Sequence, residues 1–330
     1  MLEVRDLHVK FNNRDREAVA GVSFSIQEGE ILGLVGESGS GKTVTAMSIA
    51  GLLPRRQCAY SGEILLDGQE LLHIQRSQLR KIQGREIGVV FQEPMSAMDP
   101  LMKIGLQVEE VLRIHTGLSR EERKRLALEA LEAVELPDPA GVYGKYPHEL
   151  SGGMLQRAMI AAATVIRPKL LLLDEPTTAL DVITQWYIMD ILRKIHEESG
   201  ITMIFCTHDV SIIGSVVDRI AVMYAGQIVE YGRVEDVFLD PSHPYSHGLI
   251  HAVPSLRDDI KKRSAIPGFP PNLLELQPGC RFAPRCFLKS EGCCDGVKDN
   301  LNELLCLGDS QQYTLCSHWK KVKERAAATH

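Results

Sequence analysis

Residues 31–43 read Ile31-Leu32-Gly33-Leu34-Val35-Gly36-Glu37-Ser38-Gly39-Ser40-Gly41-Lys42-Thr43. The apolar run Ile31 to Val35 reads as a strand, and Val44 to Leu52 is compatible with a helix. Between them stands a G-x-x-x-x-G-K-[ST] loop, Gly36 to Thr43, in the strand–loop–helix context that such a loop requires. Its glycines lack Cβ, so backbone N–H groups can wrap phosphate oxygens, and the following helix adds its positive N-terminal end. Lys42 is placed to reach the β- and γ-phosphates and the Thr43 hydroxyl to ligate Mg²⁺. The loop by itself says only that nucleotide is bound.

Further along, Leu170-Leu171-Leu172-Leu173-Asp174-Glu175 reads as a parallel strand, apolar on both faces, that ends in two carboxylates. Asp174 stands where a P-loop ATPase directs an aspartate at Mg²⁺. Glu175, one residue later, is placed to polarise an attacking water as general base. A solvated acidic pair at a strand end is the plainer alternative. Before this strand comes a second Ser/Gly-rich helix start, Leu150-Ser151-Gly152-Gly153-Met154-Leu155-Gln156-Arg157. An N-cap role for Ser151 explains its hydroxyl but not the paired glycines.

With both motifs in one chain, residues 1 to about 255 resemble the ATPase subunit of an ABC transporter. The resemblance implies an α/β fold: a P-loop ABC-type nucleotide-binding domain with a RecA-like core, an antiparallel β subdomain and a helical subdomain at about 95–165. It implies that Gly36, Ser38, Gly39, Ser40, Gly41, Lys42, Thr43 and Val44 bind ATP, and that Thr43, Gln92 and Asp174 serve Mg²⁺. Gln92 matches the Q-loop glutamine, Glu175 the catalytic base and His208 the switch histidine near the γ-phosphate. Phe11 resembles the aromatic that stacks on adenine; strand-end core packing is its alternative, as a structural role is for His208. Pro176 to Asp181 resembles the D-loop segment, with Asp181 its acidic residue. Ser151, Gly152, Gly153 and Gln156 match the signature that faces nucleotide held by an opposing subunit. Two such domains then sandwich two ATP molecules, closing on binding and reopening on hydrolysis.

Composition is compatible with that reading. The chain has 330 residues, enough for one large α/β domain plus an appendage. Its formal net charge of −6 carries no nucleic-acid footprint. No stretch reaches the roughly 18 uninterrupted apolar residues of a membrane span, and residues 1–6 do not resemble a signal peptide. The expectation is a peripheral protein on the cytoplasmic side of the cell membrane, held there by other subunits. Strands are expected over Leu2 to Phe11, Val19 to Ile26, Ile64 to Leu66, Glu86 to Phe91, Leu170 to Leu173, Met203 to Cys206, Ile220 to Tyr224 and Gln227 to Glu230. Ala225-Gly226 signals a hairpin. From Met95 to about Glu135 the pattern is helical, with a capping box at Ser119-Arg120-Glu121-Glu122.

The tail narrows the family. His243-Pro244-Tyr245 through Pro254 resembles the segment after the ATPase core in dipeptide/oligopeptide transporter ATPases. A Pro-rich linker, Pro267 to Gly279, leads to six of the eight cysteines, Cys280, Cys286, Cys293, Cys294, Cys306 and Cys316. Cys280-x₅-Cys286-x₆-Cys293…Cys316 resembles the family's cysteine motif, which in some members holds a 4Fe–4S cluster. Zinc is the alternative, with His318 as a non-Cys ligand, although the gaps exceed a zinc knuckle; unliganded thiols are the third reading. Cys294 can replace Cys293, and Cys306 is spare. Cys58 and Cys206 read as packing residues. The domain expectation is therefore 1–255 for the nucleotide-binding domain and 256–330 for a small Cys-rich domain. Were a cluster ligand lost and residues from about 279 onward loosened, the ATPase core is expected still to bind nucleotide.

The implied function is the ATPase of an importer for dipeptides or oligopeptides. The implied partners are two transmembrane permease subunits, a second ATPase subunit (identical or sister) and an extracytoplasmic solute-binding protein, with no nucleic acid. Nickel or another small solute shares nearly every motif. A non-transport ABC ATPase of DNA repair or translation would carry coiled-coil insertions, fused ATPase domains or basic surfaces, none of which is visible.

Overall fold

The structure is a computed structural model that describes residues 1–12, 16–178, 180–252, 266–271, 276, 279–289, 304–307 and 311–327. The chain divides into two compact units, one of residues 1–26, 31–72 and 206–330, the other of residues 27–30 and 73–205.

In the first unit, β1 (Leu2–Phe11), β2 (Glu17–Ile26), β4 (Cys58–Leu66) and β5 (Gln69–Glu70) form an antiparallel sheet in the order β2-β1-β4-β5. Strand β1 buries Leu2, Val4, Leu7 and Val9. The step from Val4 to Leu7 is three residues, which would turn Leu7 to the wrong face of a regular strand. A bulge absorbs the extra residue: Asp6 takes φ 47° and the register shifts there against both neighbours. Opposite it, a Cβ on Gly62 would stand 2.2 Å from the Asp6 carbonyl oxygen, so the partner strand needs glycine at that point.

The same unit holds β3 (Ile31–Val35), β9 (Arg219–Tyr224) and β10 (Gln227–Arg233), with β3 parallel to β9 and β9 antiparallel to β10. All five residues of β3 are buried, as the continuous apolar run requires. Ala225 (φ 48°) and Gly226 (φ 86°) make the two-residue turn whose twist suits a hairpin. Helix α1 (Lys42–Ile49) follows the phosphate-type loop; it starts two residues earlier and stops three earlier than the sequence pattern suggests. The tail adds β11 (Leu305–Cys306) and β12 (Tyr313–Thr314), and β12 pairs with β10 through Glu230↔Thr314 and Tyr231↔Tyr313. The fully buried Glu230 carboxylate accepts from Ser242 N–H and Oγ (both 2.8 Å), His243 N–H (2.9 Å) and Gln312 Nε2 (2.9 Å). The described tail is thus hydrogen-bonded into the sheet of the first unit. The sequence boundary at 255/256 lies outside the described residues.

In the second unit, β6 (Ile87–Val90) and β7 (Leu170–Asp174) are parallel, and β8 (Thr202–Thr207) continues the order β8-β7-β6. The helical stretch expected from Met95 to Glu135 is three helices: α3 (Pro94–Ala97), α4 (Ile104–His115) and α5 (Arg120–Ala133), preceded by α2 (Arg76–Ile82). The first break falls at Asp99-Pro100, where the residue before proline is pushed out of the helical region. The second falls before Ser119, whose side chain accepts from Glu122 N–H while Glu122 accepts from Ser119 N–H (2.8 Å). That capping box stabilises α5 by about 1 kcal/mol. Helices α4, α5, α6 (Pro139–Gly144) and α7 (Gly152–Thr164) bury Val108, Leu112, Leu131 and Leu155 against one another. Helix α8 (Val182–Ser199) leads to β8, and α9 (Val210–Ile213), α10 (Val234–Leu239), α11 (Pro244–His251) and α12 (Trp319–Ala327) belong to the first unit. Among the described residues no helix is long and apolar enough to cross a membrane.

Candidate functional site

In the first unit, Gly36 (φ 154°) leaves β3 in a conformation that side chains rarely adopt, and a Cβ there would meet the Met223 carbonyl oxygen at 2.2 Å. The loop therefore closes tightly on β9. Ser40 N–H donates to the Glu37 carbonyl (3.2 Å), and the Ser40 carbonyl accepts from Gly226 N–H (2.8 Å). Lys42 is 4% exposed and its Nζ donates to the carbonyls of Gly36 (2.8 Å) and Glu37 (3.0 Å). A buried ammonium curled inside its own loop is a fixed positive charge at a helix start, suited to phosphate oxygens. Ser40 Oγ is buried with no hydrogen-bond partner among the described residues, a donor of the kind a phosphate oxygen satisfies. Ser38, Gly39 and Thr43 are exposed, and Val44 is half-buried. These residues fit a triphosphate, which Lys42 would hold, with Mg²⁺ at the Thr43 hydroxyl.

His208, exposed, directly follows β8, and Asp209 beyond it caps α9 by accepting from Ser211 N–H (2.9 Å). Phe11 is half-buried at the end of β1, opposite Cys58. Cys58 and Cys206 are buried, in line with a packing role.

In the second unit, Asp174 ends β7 at 4% exposure. Glu175 follows with φ 47°, a strained conformation for a residue with a side chain. Its carboxylate accepts from Gln92 Nε2 (3.2 Å) and from Thr178 Oγ1 (2.8 Å). Gln92, 83 residues earlier, is so brought onto Glu175. The two donors orient one carboxylate oxygen and leave the group half-buried, an arrangement suited to holding a water for attack. Thr178 carried no signal beyond its membership of the D-loop segment. Asp181 caps α8, accepting from Thr184 N–H (3.0 Å) and Oγ1 (2.6 Å), and these hydrogen bonds hold its carboxyl below the usual range.

Ser151 is the N-cap of α7, its Oγ accepting from Met154 N–H at 3.4 Å. Ser151 and Gly152 are exposed, and a Cβ on Gly153 would press on the Thr184 methyl at 2.9 Å. Gln156 is 2% exposed, and its buried Nε2 has no hydrogen-bond partner among the described residues.

The cysteine expectation is only partly described. Cys280, Cys286 and Cys316 are half-buried and Cys306 is exposed, whereas Cys293 and Cys294 lie outside the described residues. Among the described residues no three His, Cys, Asp or Glu side chains come together as a metal-binding group. The described thiols alone therefore do not make a cluster or zinc site.

Comparison with known proteins matches residues 19–178 to the ABC transporter family model. Residues 229–293 match the oligopeptide/dipeptide transporter C-terminal region. A putative peptide import ATP-binding protein of Brucella melitensis is 46% identical over 307 residues, covering 89% of this chain and 91% of that one. The oligopeptide transport ATP-binding protein OppD of Haemophilus influenzae is 43% identical over 295 residues, with the same coverage. Among solved structures, a dimeric ATP-binding cassette in a post-hydrolysis state bound to ADP and Pi aligns with a TM-score of 0.64 at 32% identity, covering 71% of this chain and 99% of that one. The cbiO1 protein of Clostridium perfringens, part of an ABC transporter complex, aligns at 0.61 and 30% identity over 72% of this chain and 90% of that one. With its phosphate loop, its Gln92–Glu175 pair and relatives of this similarity along most of its length, the chain belongs to the ABC transporter ATPases, in the branch that carries the oligopeptide/dipeptide C-terminal region.

Proposed function

We propose that this chain is one of two ATPase subunits on the cytoplasmic side of an importer for dipeptides or oligopeptides, working with two transmembrane permease subunits and an extracytoplasmic solute-binding protein. The peptide substrate is supported by the names of the relatives and by the matched C-terminal region. Lys42, with Gly36, Ser38, Gly39, Ser40, Gly41, Thr43 and Val44, holds the phosphates; Thr43, Asp174 and Gln92 serve Mg²⁺; Glu175 is the base and His208 the γ-phosphate contact. Phe11 stacks on adenine.

The observation that carries the reading is a second, exposed helix start, Ser151-Gly152, in a chain whose phosphate loop already takes one nucleotide. Such a start favours an anion supplied from outside the chain. Hydrolysis should then depend on pairing. Purified alone, the chain should hydrolyse ATP weakly, with specific activity that rises with protein concentration. Adding a Ser151→Arg copy should depress the opposite site of each mixed pair. A concentration-independent full rate would remove the sandwich.

For the tail, the cysteine spacing and the family resemblance favour a 4Fe–4S cluster on Cys280, Cys286, Cys293 and Cys316 over zinc. Protein purified without oxygen should be brown and contain about four iron and four acid-labile sulfide per chain. Stoichiometric zinc without sulfide would leave the metal-stapled alternative, and neither metal would leave thiols.

A further inference from the structure

Glu37, the second residue of the phosphate loop, has every polar group engaged. Its N–H donates to the Tyr245 hydroxyl (2.8 Å), and its carbonyl accepts from Lys42 Nζ (3.0 Å) and Ser40 N–H (3.2 Å). Its carboxylate receives a two-pronged pair from the tail, Arg285 Nη1 at 2.6 Å and Nη2 at 3.0 Å. The remaining edge of that guanidinium, Nε, donates to the Pro267 carbonyl (2.8 Å), and Arg285 is 7% exposed. A fork with both Nη atoms on one carboxylate and Nε on a carbonyl fixes direction as well as charge.

The segment that carries Arg285 is itself anchored at two further points. Phe282, 2% exposed, stands edge-on to Tyr224 with centroids 5.1 Å apart and lies 5.5 Å from Tyr245. Arg281 donates to the Ala225 carbonyl, in the turn whose next residue, Gly226, donates to the Ser40 carbonyl. The tail thus grips the phosphate loop directly at Glu37 and through the β9–β10 turn at Ser40.

We propose that Arg285 is a positioning residue for nucleotide: residues 279–286 form a clamp that holds Glu37, and through its carbonyl Lys42 and Ser40, in the shape that receives phosphate. This rests on residues 36–43 being the phosphate loop. It makes the tail part of the nucleotide site rather than a separable appendage. Exposed ion pairs seldom matter, but a buried guanidinium forked onto the half-buried carboxylate of a loop residue couples tail geometry to loop geometry.

The test uses the full chain, a fluorescent ATP analogue with Mg²⁺, and thermal melting of each variant. Arg285→Ala should weaken nucleotide binding about tenfold, the order expected when a positioning contact lets a binding group drift. Because that change strands the Glu37 carboxylate, the double variant Glu37→Met with Arg285→Met removes both charges and keeps the volume. It should melt like the wild type and still bind about tenfold more weakly. In the assembled pair the loss should appear chiefly in the ATP concentration that gives half-maximal turnover, with KM rising by more than kcat falls, since Arg285 touches no reacting atom. Binding within about twofold of wild type in the folded double variant overturns the clamp. Lys42→Ala, run alongside, separates the two failures: if it retains nucleotide, the phosphate-loop reading itself is wrong.

Discussion

Glu175→Gln should keep Mg²⁺-ATP bound while slowing hydrolysis by roughly 10²–10⁴-fold, the usual share of a general base. The amide has the size of the carboxylate and can still accept from Gln92 and Thr178, which hold the wild-type oxygen at 3.2 and 2.8 Å. What it lacks is the charge that takes a proton from water. A pre-hydrolysis pair should therefore accumulate, read as an ATP-dependent dimer by size-exclusion chromatography beside a single-turnover measurement. Near-normal turnover would show that another group accepts the proton. The strained backbone at Glu175 (φ 47°) is unchanged by the substitution, so a stability loss is not expected to obscure the result.

Lys42→Ala should act on binding itself. The ammonium is 4% exposed and held by the Gly36 and Glu37 carbonyls, so it stays in the loop at a defined place. Hydrogen bonds to charged groups contribute about 1.5–3 kcal/mol, so nucleotide affinity should fall roughly ten- to a hundredfold. Titration with the fluorescent analogue measures it. Unchanged affinity would remove the phosphate-loop reading of residues 36–43, whatever happened to turnover. The contrast with Glu175→Gln, which leaves binding intact, assigns the two residues to different steps.

What local sequence can encode was legible. The phosphate loop, the capping box at Ser119–Glu122, the Ala225-Gly226 hairpin and the buried runs of β3 and β7 each depend on residues a few positions apart, whose spacing and chemistry are written consecutively. The family motifs are local in the same sense, and with them came the assignment to the ABC ATPases. The break of one helical stretch into α3, α4 and α5 was also local, signalled by Pro100, but helical periodicity on either side concealed it. Other features had no local trace. Arg285 and Glu37 meet across 248 residues, and no periodicity links a tail arginine to a loop glutamate. Strand β12 is two residues long, too short for any alternation, and exists because β10 has an edge to pair and Glu230 accepts from Gln312. The burial of Gln156 follows from how α7 packs on its neighbours. By itself the sequence determined the phosphate loop, the carboxylates and the family, because each is a short run whose chemistry is complete in place. Only the tertiary structure decided that the tail joins the sheet and seizes the loop, because an ion pair and a strand edge are settled by where distant segments pack.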